Sequence, residues 1–248
     1  MLVLVRTELL KLATTRAPWL LSGGAVVLTA ILALQPVLQA GRGAKPSIGT
    51  AGAALDVVNA LDRGALIALV LGVLTVTTEF RFQTMTGALL EVPARRRLMT
   101  AKALAAALVG LVLASGGVVI VLVAGLFGGA LRTDLVNADT VLRACGLVVT
   151  YPVYAVLGVA VGAVLPRSQP LAVILPVGWL LGLEALLLTT LFPPAALRWS
   201  LGGAVAAMQS AGDVPEVLPV WLGAAVLLGV ITAIFLSGTA RLARTDIT

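Results

Sequence analysis

The sequence predicts an all-α integral membrane protein with six transmembrane helices. Of its 248 residues, 60% are hydrophobic and only 11% are charged, whereas a soluble domain carries roughly 25% charged residues. Apolar stretches of about 20 residues, the length that spans hydrocarbon as a helix, recur along the chain. The short alternating segments of an outer-membrane barrel are not the pattern here. Mean hydropathy is +1.09, so we expect one transmembrane domain over residues 1–248.

Each predicted span is an apolar run bounded by charged or turn-forming residues. The spans are expected at about 18–38, 60–78, 104–127, 144–165, 171–192 and 218–236. The clearly apolar part of the second span, Gly64 to Thr78, has only 15 residues. That length is about 22 Å of helix, so we expect this helix to begin further upstream.

The first 16 residues have an amphipathic pattern. Apolar residues recur there at helical spacing: Leu2, Val5, Leu9 and Leu12. Arg6, Lys11 and Thr15 lie off that stripe. The pattern predicts a helix lying in the membrane interface, and the alternative is a cytosolic extension of the first span.

Basic residues are distributed unequally between the two sides of the predicted topology. Eleven Lys and Arg lie with the N-terminus, the second and fourth loops and the tail, against six on the opposite side. The richer side is expected to be cytoplasmic, which places both termini inside. Since the basic residues flank apolar runs instead of forming one face, no nucleic-acid partner is expected. Arg outnumbers Lys 14 to 3, which is typical of a GC-rich bacterial genome and indicates a bacterial plasma membrane.

Residues 193–217 form an external segment that the composition does not resolve. Pro193 and Pro194 end the fifth span, and the weakly apolar stretch after them is either a set of short helices or a plain loop.

Two GxxxG pairs on neighbouring spans favour close helix packing: Gly158 with Gly162, and Gly178 with Gly182.

The residue types needed for several kinds of catalysis are missing. The sequence has no His and one Cys, Cys145, which excludes His-based metal sites and Ser-His-Asp or Cys-His catalysis. The segment Gly41 to Ser47 resembles a phosphate-binding loop only superficially, because it lacks Gly before and Ser or Thr after its Lys. We therefore expect no catalytic, cofactor or metal site, and no enzyme activity, in this chain.

The loop at 79–102 carries the most informative pattern. Phe82, Met85 and Leu89 are spaced to share one face of a short amphipathic helix, which Pro93 would end. Phe80 and Phe82 are the aromatics that could fill a groove on a partner protein. The alternative is an interfacial turn whose aromatics dip into lipid.

This loop resembles the signature of the ABC-2 type permeases, the membrane subunits of type V ABC exporters. The matching positions are Glu79, Thr84, Pro93, Arg96, Arg97 and Lys102. Gln83 departs from the pattern, because the family has Gly there. The layout of an interfacial helix, six spans and small external helices is also similar to the family's.

The resemblance implies an exporter of amphiphilic, drug-like, lipid or peptide substrates. A coupling helix in the loop would sit in a cleft of a separate ATPase, which binds ATP and Mg²⁺. Two ATPases would work with two permeases, the second being identical or homologous. Residues 193–217 would be short external helices. The implied ATPase-coupling interface is Glu79, Phe80, Arg81, Phe82, Thr84, Met85, Pro93 and Arg96.

One carboxylate, Glu184, lies inside the fifth predicted span, at about the depth of Tyr154 on the fourth. A charge there costs on the order of 3 kcal/mol, so we expect Glu184 to face protein or a watery cavity, or to be protonated. We expect either a hydrogen bond from Tyr154, a place along the transport path, or a structural contact between helices. Pro152 and Pro176 are expected to kink these two helices.

Glu184 also defines the main alternative function, a proton-coupled secondary transporter. That alternative predicts internal repeats of the spans, and the sequence has no persuasive repeat. An intramembrane enzyme is disfavoured by the missing histidine. A scaffold or assembly factor remains a further alternative.

Overall fold

The computed structural model describes residues 1–39, 50–91, 94–129, 138–192, 194–209 and 217–244. Within these ranges the chain is helical, with short connecting turns and no strand. The α-helices are α1 (Leu2–Thr14), α2 (Arg16–Gln39), α3 (Ala51–Val58), α4 (Ala60–Arg81), α5 (Met85–Glu91), α6 (Arg95–Phe127), α7 (Ala138–Val164), α8 (Gln169–Gly178), α9 (Glu184–Leu191), α10 (Leu201–Gln209) and α11 (Val220–Arg244). A π-helical segment, Trp179–Leu183, joins α8 to α9, and a 3₁₀ helix, Pro194–Trp199, precedes α10. Pro93, Pro193 and the segment 41–47 lie outside the described residues.

Five helical runs are long and apolar enough to cross a membrane: α2, α3 with α4, α6, α7 and α11. The prediction of an all-α membrane protein is confirmed at this level. The second run extends upstream of its apolar core, as expected, since Asn59 alone separates α3 from α4. Helix α6 is longer than the predicted span of 104–127. It begins at Arg95, so the arginines that precede the apolar run belong to its first turn.

The segment predicted as the fifth span, 171–192, is not one uninterrupted helix. Gly182 has a φ of 142°, a conformation that side chains disfavour and glycine tolerates. The helix therefore breaks at Gly182, within the π-helical segment. Pro176 lies inside α8 and Pro152 inside α7, so neither proline ends its helix.

Helices α4 and α7 make the most extensive contact among the described helices, and glycines permit it. A Cβ on Gly158 would collide with the carbonyl oxygen of Leu69, and one on Gly72 with that of Ala155. A Cβ on Gly162 would lie 3.0 Å from the Val73 carbonyl oxygen. The first GxxxG pair is thus a close-approach site. The second is not, because nothing lies within 4 Å of the corresponding position on Gly182.

Tyr151 occupies a slot at the centre of this contact. Its side chain is 1% exposed, and its hydroxyl donates a hydrogen bond to the Leu61 carbonyl oxygen at 2.9 Å. A Cβ added to Gly64 would collide with that hydroxyl, and one added to Gly117 would lie 3.2 Å from it. Glycines on α4 and α6 therefore make the space that a tyrosine on α7 fills.

We predict that Gly158→Leu destabilises the bundle strongly while Gly229→Leu does not. Gly158 faces backbone that cannot move aside, whereas a Cβ at Gly229 on α11 would meet nothing within 4 Å. Overpacking typically costs about 1–3 kcal/mol, and more where backbone is displaced. Thermal unfolding of the two purified variants in detergent measures the difference. Equal melting temperatures would contradict the packing described above.

Candidate functional site

Several segments that are distant in sequence meet at one end of the bundle, here called the basic end. Lys11 on α1 lies 3.1 Å from Glu79 at the end of α4. Arg81 donates a hydrogen bond to Gln169 at the start of α8, 3.2 Å away. Arg241 near the end of α11 lies 3.4 Å from the last carbonyl oxygen of α7. The segments that the sequence groups on one side therefore lie together.

Four charged side chains form a cluster at the basic end, here called the ion-pair cluster: Glu8, Lys11, Glu79 and Lys102. Lys102 Nζ lies 2.7 Å from Glu8 Oε2 and 2.7 Å from Glu79 Oε1. Lys11 Nζ lies 2.9 Å from Glu8 Oε1 and 3.1 Å from Glu79 Oε1. Two ammonium groups thus face two carboxylates, and the four charges cancel.

The ion-pair cluster is largely shielded from solvent. The Lys102 side chain is 0% exposed, and those of Glu8 and Glu79 are 7% and 11% exposed. Removing one partner from a buried pair leaves an uncompensated charge and typically costs about 3–5 kcal/mol. Each member of the cluster is therefore needed by the others, and α1, α4 and α6 are held together at this point.

Lys11 is the most accessible member of the ion-pair cluster. Burial alone would lower its pKa, but the carboxylates of Glu8 and Glu79 outweigh this and raise the pKa above 10.5. Because the pKa is raised on folding, the stabilisation from this ammonium is fully present below its ordinary pKa. It is lost only as the pH rises through the raised value. Lys11 therefore keeps its charge throughout the neutral range.

A tight turn connects the cluster to α5. The backbone N–H of Thr84 donates to the carbonyl oxygen of Glu79 at 2.9 Å, and its hydroxyl lies 3.4 Å from the same atom. Gln83 has a φ of 57°, the left-handed conformation that glycine adopts without strain. The turn folds α5 back so that Met85, its first residue, is buried at 2% exposure.

The structure corrects the expected shared face of Phe82, Met85 and Leu89. Phe82 lies in the turn before α5 and is 68% exposed, whereas Met85 is buried; of Leu89 only the backbone is described. Phe80 is also not an exposed aromatic, because it lies on the last turn of α4 and packs against the core. Phe82 is therefore the exposed member of the two aromatics.

The other residues of the expected interface divide between surface and interior. Arg81 lies over the Phe82 ring, with 5.7 Å from its guanidinium carbon to the ring centroid. Arg96 is exposed in the first turn of α6. Glu79 is expected at the interface with the ATPase, and it is instead held inside the ion-pair cluster. Thr84 fixes the turn, and Pro93 lies outside the described residues.

Glu184 has a defined structural role. Its Oε1 accepts hydrogen bonds from Trp179 Nε1 at 2.9 Å and from Leu201 N at 2.8 Å, and its Oε2 accepts one from Gly202 N at 2.6 Å. The carboxylate thus caps the N-terminus of α10, where a negative charge is favoured. Among the bonds recorded for the described residues, none joins Glu184 to Tyr154. The expectation of a structural contact fits this arrangement.

A second set of polar contacts lies at the C-terminal end of α10 and holds this helix against the bundle. Arg143 donates to Asn59 Oδ1 at 3.0 Å and to the Gln209 carbonyl oxygen at 2.9 Å. The Gln209 amide donates to Asp62 and Thr150, each at 3.1 Å. Residues 194–209 therefore contain two short helices, and Gln209, the last residue of α10, is fixed by side chains from α4 and α7.

Sequence reasoning missed two groups of residues at these sites. Glu8 is the only acidic residue among the first 55, and that isolation in an apolar helix was a usable signal for a charge partner. Tyr151, rather than Tyr154, bridges the helices, and no pattern in the sequence separates the two tyrosines.

No protein-family model matches the chain, and no curated protein matches it significantly. Within the described residues, no group of three or more His, Cys, Asp or Glu side chains is placed to hold a metal ion.

We predict that Lys102→Met destabilises the protein by about 3–5 kcal/mol, because it leaves Glu8 and Glu79 facing each other with one ammonium. The matched control is Arg96→Met, which removes an exposed charge from the same helix. Chemical unfolding of both variants in detergent measures the difference. The cluster would not hold the fold together if the two variants were equally stable.

We also predict that Gln83→Gly stabilises the turn by about 1 kcal/mol, since the left-handed conformation strains a residue with a Cβ. Gln83→Ala keeps the Cβ and serves as the control, with no gain expected. Unfolding midpoints of the two variants test this. A loss of stability with glycine would show that the Gln83 side chain matters more than its backbone.

Proposed function

We propose that the chain is the membrane subunit of an ATP-driven exporter of the ABC-2 permease type. The observation that carries the proposal is the ion-pair cluster. Glu79 and Lys102 are the charged positions that bound the matching loop in the sequence, and they lie 2.7 Å apart. The motif residues thus form a unit in space that also includes Glu8 and Lys11 of α1.

The turn at Gln83 supports the same proposal. The family has Gly at this position, and Gln83 adopts a φ of 57°, which is the conformation that such a glycine would supply. The loop therefore keeps the geometry of the pattern although it departs from it in residue type.

In the proposed topology the chain crosses a bacterial plasma membrane six times, with both termini in the cytoplasm. The interrupted segment from α8 to α9 supplies the fifth crossing. Helix α1 is the interfacial connecting helix, α5 is the coupling helix, and α10 is a short external helix. Two copies of the ATPase and a second permease, identical or homologous, complete the transporter.

The contacts at the basic end suit the transmission of force. Helix α5 is joined to α4 through Thr84 and the carbonyl oxygen of Glu79, and the Glu79 side chain is paired with α1 and α6. A push on the exposed Phe82 by a partner would therefore reach three helices together. ATP and Mg²⁺ would be bound by the partner, and the energy of hydrolysis would change access to an amphiphilic, lipid or peptide substrate.

The interface proposed for the ATPase is smaller than the eight residues expected from the sequence. Arg81, Phe82, Thr84 and Arg96 are the members that reach the surface. Phe80 and Met85 shape the loop from inside, and Glu79 anchors it. The three hydrogen bonds to Glu184 favour a structural role for that carboxylate over the proton-carrier role required by the secondary-transporter alternative.

We predict that Phe82→Ala reduces co-purification with the partner ATPase at least fivefold, because a buried aromatic anchor contributes about 2 kcal/mol or more to an interface. The chain is co-expressed with the ATPase encoded beside it, and the complex is isolated by a tag on the ATPase. Phe127→Ala is the control, since Phe127 is 91% exposed at the far end of α6.

Three outcomes are informative. Loss of binding or of coupled ATP hydrolysis with Phe82→Ala alone supports the proposal. Equal effects of both variants would remove Phe82 from the interface. If the folded chain associates with no ATPase, the exporter proposal fails.

A further inference from the structure

A cavity of about 640 Å³ lies in the crevice between the end of α4 and the start of α8. The short turn that joins α7 to α8 borders it on a third side, through Pro166 and Arg167. Its volume is typical of small-molecule sites, which measure about 300–1,000 Å³. None of the four residues of the ion-pair cluster lines it, so the cavity is a separate feature of the basic end.

Two arginines line the cavity without a carboxylate to neutralise them. Arg81 borders it from α4 and Arg167 from the turn before α8, and both residues are exposed. Among the ion pairs of the described residues, none includes either arginine. No Asp or Glu of the described residues lines the cavity. Two unpaired cations in one crevice favour an anionic ligand over a neutral or a cationic one.

The carboxylate nearest to these arginines in the sequence is already neutralised. Glu79 precedes Arg81 by two residues, but its Oε1 is bound by Lys11 and Lys102 within the ion-pair cluster. The two lysines and two carboxylates of the cluster balance one another. The positive charge of the crevice is therefore left for a ligand.

The Arg81 guanidinium is directed toward α8. Its Nη1 donates a hydrogen bond to Gln169 Oε1 at 3.2 Å, and Gln169 also lines the cavity. This bond to a neutral amide positions the guanidinium without cancelling its charge. Because a guanidinium has five N–H donors, others remain for a ligand, and their fork geometry matches the oxygens of a phosphate.

The start of α8 adds to the positive potential of the crevice. Ser168, the N-cap residue of α8, makes no side-chain capping bond. The N-terminus of a helix carries a partial positive charge, and here it is not offset by an acidic cap. The helix end thus acts in the same direction as the two arginines.

The apolar walls and the position of the cavity suit a lipid. Phe80 and Pro170 supply apolar surface inside it. The apolar runs Gly52–Arg81 and Ala138–Val164 end beside it, and the ends of such runs lie at the depth of lipid headgroups. One turn beyond Pro170, Ile174 is 64% exposed and offers a surface to hydrocarbon chains. A phosphate that carries acyl chains therefore fits this place better than a free phosphate.

We propose that this cavity binds the phosphate group of an anionic phospholipid, held by Arg81 and Arg167, with the acyl chains along the exposed apolar face of α8. Basic pockets between membrane helices suit anionic headgroups. Phosphatidylcholine is disfavoured, because its quaternary ammonium would lie close to two arginines. The binding needs no ATPase, so it stands or falls separately from the exporter proposal.

Arg167→Gln is the variant of choice for the test. Arg167 is exposed in a turn and takes part in none of the ion pairs of the described residues, so its loss leaves the fold intact. Arg81→Gln removes the second cation. Arg6→Gln on α1 is the matched control, because Arg6 is exposed and does not line the cavity. Thermal unfolding in lipid-free detergent should give equal midpoints for the wild type, Arg167→Gln and Arg6→Gln.

The test uses the full chain, purified alone and delipidated in a nonionic detergent. Native mass spectrometry measures the binding of dioleoyl phosphatidylglycerol and dioleoyl phosphatidylcholine. We expect the wild type to bind phosphatidylglycerol at least about fivefold more tightly than phosphatidylcholine. Arg167→Gln and Arg81→Gln should each weaken phosphatidylglycerol binding roughly tenfold, the loss expected for a hydrogen bond between charged groups, and Arg6→Gln should leave it unchanged. Phosphatidylglycerol with a diazirine in an acyl chain should label α8 near Ile174.

Equal affinities for the two lipids, or equal losses with Arg167→Gln and Arg6→Gln, would overturn the proposal. Glycerol 3-phosphate, added as a soluble competitor, distinguishes the two sources of a phosphate group. Phosphatidylglycerol binding that persists at an equimolar concentration of this competitor supports a lipid ligand. Displacement of the lipid under the same conditions would show that the cavity takes a soluble phosphate ester, and the lipid assignment would be wrong.

Discussion

One constraint determines the arrangement at the basic end. The ammonium group of Lys102, on the apolar helix α6, has no exposure to solvent. A charge in that position has to be paired, and the pairing partners come from two other helices. Glu8 requires α1 to lie along the bundle, and Glu79 requires the end of α4 to stop beside α6. The turn at Gln83, the burial of Met85 and the exposure of Phe82 then follow, because the chain has to leave this fixed point through a tight turn.

Polar contacts have particular weight in such a chain. In a lipid environment the hydrophobic effect does not distinguish one apolar helix face from another, so close packing and hydrogen bonds determine which helices meet. The ion-pair cluster fixes one end, and Arg143 with Gln209 fixes the other. Between them, the glycines of α4 and α7 let the two backbones touch, and Tyr151 fills the slot that Gly64 and Gly117 leave.

Much of the fold was predictable because apolar length is a local property. Runs of about 20 apolar residues become helices wherever they occur, and the upstream extension of α4 followed from its short apolar core. The break at Gly182 was not predictable, since glycine is common in these helices and only its backbone conformation reveals the interruption. The loop was identified by its pattern, but the exposure of Phe82 and the burial of Met85 depend on the turn between them. Glu8 and Lys102 are 94 residues apart in the sequence. Helical periodicity relates only residues within one helix, so it could not predict this pair.

That separation has a consequence for the biogenesis of the protein. Chains are synthesised at about 5–20 residues per second, so Glu8 is synthesised roughly 5 to 20 seconds before Lys102. During this interval α1 carries an acidic residue that has Lys11 beside it but still lacks Lys102, while the first two long helices are already being inserted. The N-terminal helix, although made first, is secured only when the third long helix enters the membrane.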